Sequence, residues 1–141
     1  MVKIDLHTHS TRSDGLDTPS QLVTNAAKAG INVLALTDHD TVSGWDEARS
    51  KALELGLGFI PGIEVTSVSD IERFGRTIRI SVHLLAYLPD PNHEALAVVR
   101  AAAGTGKSWS LLQLREALVA VQHLHRRSSS PLSWSFVTPE P

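Results

Sequence analysis

Ile4-Asp5-Leu6-His7-Thr8-His9-Ser10, followed by Ser13-Asp14-Gly15, is the stretch around which the chain is organised. Val2, Ile4 and Leu6 alternate with Lys3, Asp5 and His7, the period of two that marks a strand. A strand continued to His9 puts His7 and His9 on one face, where two neutral imidazoles can share a divalent cation. Asp14, in a Ser-Asp-Gly turn, adds a hard oxygen ligand. Alone, a His-x-His fits two solvent-exposed rings at a strand end equally well.

Three later segments change that balance. Residues 33–36 (Val-Leu-Ala-Leu) run into Thr37-Asp38-His39-Asp40, and residues 59–63 run into Glu64. Ile78, Ile80 and Val82 alternate with Arg79, Ser81 and His83. Singly, His39 reads as a surface residue, Glu64 as a turn residue and His83 as a hydrogen-bonded core histidine. Together, four successive strands end in His, Asp or Glu. In sheets and barrels built of βα units, strand C-terminal ends meet at one rim, where sites are assembled. Asp38 and Asp40 are expected to orient His39 or to meet a helix N-terminus.

Between these strands the helix signals are clear. Thr18-Pro19-Ser20-Gln21 is a capping box with proline at the first helical position, and Gly30 closes that helix. Ser43 is expected to cap a second helix that stops at Gly56. The order β-α-β-α-β implies parallel strands with right-handed crossovers. The polar residues 67–76 read as a loop or short turn between strands, residues 77–87 as a fourth strand, and Asn92 or His93 as the start of a helix through Val99.

The 141 residues suffice for one domain with a core, and 42% hydrophobic with 20% charged content is that of an ordinary globular chain. A formal charge of −2 gives no global attraction to nucleic acid or membrane, so a phosphorylated substrate would have to be held locally. The absence of cysteine removes disulfides and thiolate sites and leaves His and carboxylate as the strong metal ligands. No apolar run approaches the roughly 20 residues of a membrane span, and the chain enters a strand without a signal-peptide pattern, so a cytoplasmic protein is expected.

Asp5-Leu6-His7-Thr8-His9-Ser10, Ser13-Asp14-Gly15, Leu36-Thr37-Asp38-His39-Asp40-Thr41, Pro61-Gly62-Ile63-Glu64 and His83-Leu84-Leu85-Ala86-Tyr87 together resemble the PHP (polymerase and histidinol phosphatase) superfamily. The nearest likeness is to stand-alone bacterial phosphoesterases acting on nucleoside bisphosphates or short RNA. The resemblance implies an α/β fold, the N-terminal part of a distorted (β/α)7 barrel. Residues 1–100 would be the N-terminal half of that domain, and residues 101–141 a helical insertion-like or aberrant tail. It implies two or three divalent ions, manganese, zinc or iron, and no organic cofactor. His7 and His9 would hold the first ion, Glu64 would bridge it to a second served by His83, and Asp14 with His39 would hold a third. Glu64 and His39 would then act as metal-site residues, with no separate protein nucleophile. The implied chemistry is in-line attack on phosphorus by metal-activated water. Implied partners are a phosphorylated small molecule or short RNA, with neither stable duplex binding nor membrane; the oligomeric state is left open.

The family's full domain is roughly twice this length and brings further ligands on later strands. The chain therefore reads as C-terminally truncated, and weak or absent hydrolysis is expected of the isolated chain. Residues near 103–130 depart from the family pattern, as a shifted reading frame would make them. Two other readings stand beside the leading one: an inactive fragment or metal-binding module of the same fold, and a histidinol-phosphate phosphatase. Ala101-Ala102-Ala103-Gly104-Thr105-Gly106-Lys107-Ser108 imitates a phosphate loop but lacks its first glycine and its preceding strand. His123-Leu124-His125 imitates a ligand pair, yet in a helix residues two apart point to different faces.

Overall fold

The computed structural model describes residues 1–92 and, beyond them, residues 96, 109 and 110. Strand β1 covers Ile4–Thr8. It stops before His9, and its register against the next strand shifts between Asp5 and Thr8, so the regular strand to His9 is not formed. Helix α1 covers Pro19–Lys28. Thr18 Oγ1 accepts from the Gln21 amide while Gln21 Oε1 accepts from the Thr18 amide, the reciprocal cap that the sequence predicts. Gly30, at φ +78°, then turns the chain toward strand β2, Val33–Leu36.

Helix α2 covers Trp45–Leu55 and ends at Gly56 in the left-handed conformation, φ +72°. Ser43 does not cap it. Gly44 holds the N-cap position with no side-chain bond. Close packing accounts for the glycine: a Cβ there would lie 3.0 Å from Leu36 Cδ2 and 3.1 Å from side-chain carbons of Arg12 and Pro19. The start of α2 is thus pressed against both β2 and the beginning of α1.

The largest departure from expectation lies beyond Ile63. Strand β3 runs through Gly58–Arg73 and strand β4 through Arg76–Tyr87, and the two pair antiparallel from Gly62 to the turn. Residues 67–76 are therefore the far half of a long hairpin and not a loop. Polar residues are tolerated there because they pair across the strands: Asp70 faces Arg79, whose Nε and Nη2 donate to its two oxygens at 2.7 and 2.8 Å. Phe74 at φ +53° and Gly75 at φ +70° make the two-residue turn.

The sheet order is β1-β2-β3-β4, with β1, β2 and the start of β3 parallel and linked by helical crossovers. Strand β5, Trp109–Ser110, adds parallel to β3 at Ser67 and Val68. The result is a mixed α/β sheet, the half-barrel that the resemblance implies with one antiparallel arm. Val23, Leu34, Leu36, Trp45, Ala48, Ala52, Ile63, Val65 and Leu96 form its core. Tyr87 Oη donates 2.9 Å to the Leu6 carbonyl, so the outer strands β1 and β4 curve toward each other. Apart from Leu96 and β5, the helix expected from residue 92 or 93, the tail at 101–141, the phosphate-loop imitation and His123-Leu124-His125 lie outside the described residues. Among the described residues no helix is long and apolar enough to cross a membrane.

Candidate metal centre

Each group of interest is delivered by a different segment. His7 lies in β1, His9 just past its end, Asp14 in the turn before α1, and His39 just past β2. Glu64 and His83 lie inside β3 and β4, not at strand ends as the sequence suggests, because β3 continues past the site into the hairpin. Opposed residues of an antiparallel pair share a face, and so do residues two apart in one strand. Thr66 opposes His83, so Glu64, Thr66 and His83 project from one side of the hairpin. A short parallel bridge between His39 and Glu64 seats the end of β2 beside them.

These segments bring four imidazoles into a row. Ring centroids are 5.1 Å apart for His7 and His9, 4.7 Å for His9 and His39, and 5.1 Å for His39 and His83. Beneath the row lies Glu64, only 4% exposed. Its Oε2 is 2.7 Å from His7 Nε2 and 3.0 Å from His9 Nε2, and its Oε1 is 2.7 Å from His83 Nδ1. His39 Nε2 stands 3.6 Å from Asp14 Oδ2 and 3.9 Å from Glu64 Oε2. Burial pushes the Glu64 carboxyl up, but the bonds from His7 and His83 and the charge of His39 outweigh it and hold it below the ordinary 4.5. Desolvation likewise pushes Asp14 up, and the charges of His9 and His39, with the bond from Ser13, together bring it below the ordinary 3.8. Both therefore stay anionic at neutral pH.

The donors fall into three groups, each with ligand atoms within 4.8 Å of one another: His7, His9 and Glu64; His9, Asp14 and His39; His39, Glu64 and His83. His9, His39 and Glu64 each belong to two groups, while His7, Asp14 and His83 each belong to one. A mixed imidazole and carboxylate set suits zinc, manganese or iron, whereas calcium and magnesium prefer oxygen alone. One atom argues directly for a missing partner. His9 Nδ1 is buried with no hydrogen bond. Asp14 Oδ1 is only 3.0 Å away, but out of alignment, so proximity here is not a bond. A buried unpaired nitrogen costs about 1–3 kcal/mol, which a cation between these two groups would remove. The residues fit divalent metal.

Residues that the sequence reading passed over hold the ligands in place. Thr66 Oγ1 lies 3.2 Å from His39 Nδ1, which leaves Nε2 toward Asp14 and Glu64. Thr66 was hidden by the loop expected beyond Glu64; a strand continued by two residues places it on the same face. Asp40, expected to orient His39, instead accepts from the Thr66 amide at 2.9 Å. Asp38 bonds Ser10 and Ser13, again not the His39 ring.

The family model described as PHP domain matches residues 5–125. A 5'-3' exoribonuclease of Haemophilus influenzae is 52% identical over 65 residues, which cover 46% of this chain and 24% of its own. A 3',5'-nucleoside bisphosphate phosphatase of Chromobacterium violaceum is 43% identical over 97 residues, 69% of this chain and 31% of its own. A solved structure from Bifidobacterium adolescentis, assigned as a metal-dependent phosphoesterase, shares 33% identity at a TM-score of 0.64 and covers 94% of this chain and 41% of that one. The chain thus spans 24% to 31% of the length of these two curated relatives.

Proposed function

The chain belongs to the PHP domain family, and from that membership we propose that it carries ligands of a metal-dependent phosphoesterase acting on phosphate esters of nucleotides or short oligoribonucleotides. The observation that carries this reading is the sharing of His9, His39 and Glu64 between adjoining donor groups. Shared ligands hold cations close together, the arrangement that phosphoryl transfer uses. Two or three ions of manganese, zinc or iron are proposed, held by His7, His9, Asp14, His39, Glu64 and His83. The two similar relatives are named for nucleotide and RNA chemistry, which supports that substrate class. A cytoplasmic setting belongs to the same proposal.

When bound, such ions supply positive charge for phosphoryl oxygens and lower the pKa of water. The chain's own residues do the rest. Glu64 forms a buried anionic floor, while the half-exposed rings of His7 and His83 and the exposed Asp14 form the rim. A substrate phosphate therefore enters from the solvent side, opposite Glu64. Thr66 fixes the His39 ring so that its Nε2 faces this opening. With a formal charge of −2 the chain offers no broad attraction for long nucleic acid, so short, phosphate-rich substrates are favoured.

The test is to strip the purified chain of metal, add manganese or zinc, and measure metal content beside a panel of nucleoside bisphosphate, oligoribonucleotide and histidinol phosphate. Metal uptake that is lost in Glu64→Ala, with any hydrolysis confined to nucleotide esters and dependent on the added ion, is the expected result. A chain that takes up neither metal, or hydrolysis indifferent to Glu64→Ala, would overturn the proposal.

A further inference from the structure

Ser10 and Asp38 are fully buried polar residues on two different segments. The Asp38 carboxylate accepts three hydrogen bonds from the loop between β1 and α1. The Ser10 amide donates to Oδ1 at 2.6 Å, the Ser10 hydroxyl to Oδ2 at 2.7 Å, and the Ser13 hydroxyl to Oδ1 at 2.7 Å. Ser13 Oγ also lies 3.3 Å from Asp14 Oδ1, so one hydroxyl touches both carboxylates. The Arg12 amide donates 3.1 Å to Ser10 Oγ and closes the knot.

The neighbours of these residues are the informative part. Ser10 follows His9, Ser13 precedes Asp14, and Asp38 precedes His39. His9, Asp14 and His39 are one of the three donor groups, and each of its members is next in sequence to a member of the knot. The group combining His7 with His9 and Glu64 has one such neighbour, and the group combining His39 with Glu64 and His83 has one. The knot therefore bears on one group far more than on the other two.

We propose that Asp38, acting through Ser10 and Ser13, is a positioning residue that sets the spacing of His9, Asp14 and His39 and so tunes one cation position selectively. This rests on the metal-binding reading above. A buried carboxylate accepting charge-assisted bonds is stiff. Without it, the two segments that carry these ligands are still joined at their base by the β1-β2 ladder, the Thr37 amide and hydroxyl bonds to the Thr8 carbonyl and the Thr8 hydroxyl bond to the Ala35 carbonyl, but no longer beside the ligands themselves. Partners that orient ligands without touching the metal typically change affinity by about 10–100-fold.

The experiment titrates metal-stripped chain with cobalt(II), following its absorption spectrum and counting equivalents by calorimetry. Asp14→Ala and His83→Ala mark which equivalent belongs to which group. Ser13→Ala and Asp38→Asn are expected to weaken the equivalent lost in Asp14→Ala by about tenfold or more. The equivalent lost in His83→Ala should stay within about twofold, and Ser13→Thr, which keeps the hydroxyl, should restore wild-type affinity. Ser13→Ala keeps the test alive if Asp38→Asn does not fold. Unchanged affinity in Ser13→Ala, or equal weakening of every equivalent, overturns the positioning role while metal binding stands. Failure of the wild-type chain to bind cobalt(II) overturns both readings.

Discussion

The indole nitrogen of Trp45 donates 2.8 Å to the carbonyl of Gly62, two residues before Glu64. The first residue of α2 is thereby tied to β3 where that strand leaves β2 and joins β4. Trp45 is buried in the core, and the bond lies in the same dry region. Trp45→Phe keeps apolar bulk but leaves a buried carbonyl short of a donor. Its expected cost is about 1–3 kcal/mol in chemical unfolding.

Gly15 sits under the loop that carries His9 and Asp14. Its amide donates 2.9 Å to the Ser10 carbonyl. A Cβ there would overlap the His9 carbonyl group and lie 2.7 Å from the Ser10 nitrogen, all backbone atoms that cannot swing aside. Gly15→Ala is expected to destabilise the chain by about 1–3 kcal/mol and to shift the loop. Calorimetric titration with manganese should show weaker binding, and wild-type affinity in a folded Gly15→Ala would refute this account.

Glu47 links the two helices to the loop. The Ser20 amide donates to one oxygen and the Arg12 guanidinium to the other, each at 3.0 Å, and these bonds hold its carboxyl below the ordinary 4.5. A carboxyl with a lowered folded pKa stabilises fully above its unfolded value and loses that contribution as pH falls through the folded one. Glu47→Gln should therefore be less stable than wild type near neutrality. The two should converge well below pH 4.5, as thermal melts across pH would record.

The hairpin tip offers a stabilising change. Phe74 holds φ +53° while 91% exposed, so it bears the left-handed penalty without gaining burial. Phe74→Asn gives the Asn-Gly pair that two-residue turns favour. It forfeits only the exposed contact of Arg73 with the ring. A gain of about 0.5–1 kcal/mol is expected after that loss. Metal affinity should not move, since the tip lies far along the strands from Glu64.

How much of this was readable in advance varies with how local the cause is. The Thr18 box, Gly30 and Gly56 depend on a few adjacent residues, and sequence patterns capture them. His7, His9, Asp14, His39, Glu64 and His83 could be singled out because strand periodicity marks His7, His9 and His83, a turn marks Asp14, strand ends mark His39 and Glu64, and family-like spacing joins all six. The continuation of β3 could not be read, because Ser67, Asp70, Glu72 and Arg73 look like loop residues until their partners across the hairpin are known. Gly44 and not Ser43 holds the cap, at a place where a Cβ would meet Arg12 and Leu36, which are distant in the chain. Asp38 was noticed beside His39, but its bonds to Ser10 and Ser13 span 28 and 25 residues, beyond any local pattern.

The same span of contacts dictates an order of assembly. His83 reaches Glu64 across a loop of 19 residues inside one hairpin, whereas His7 reaches it across 57. Closing the shorter loop costs less chain entropy, so two of the six ligands, Glu64 and His83, are organised as soon as the hairpin zips. The set of six is completed only after both helical crossovers have formed. A cation held by the whole row would therefore be captured late in folding, once the N-terminal strand has reached its final place.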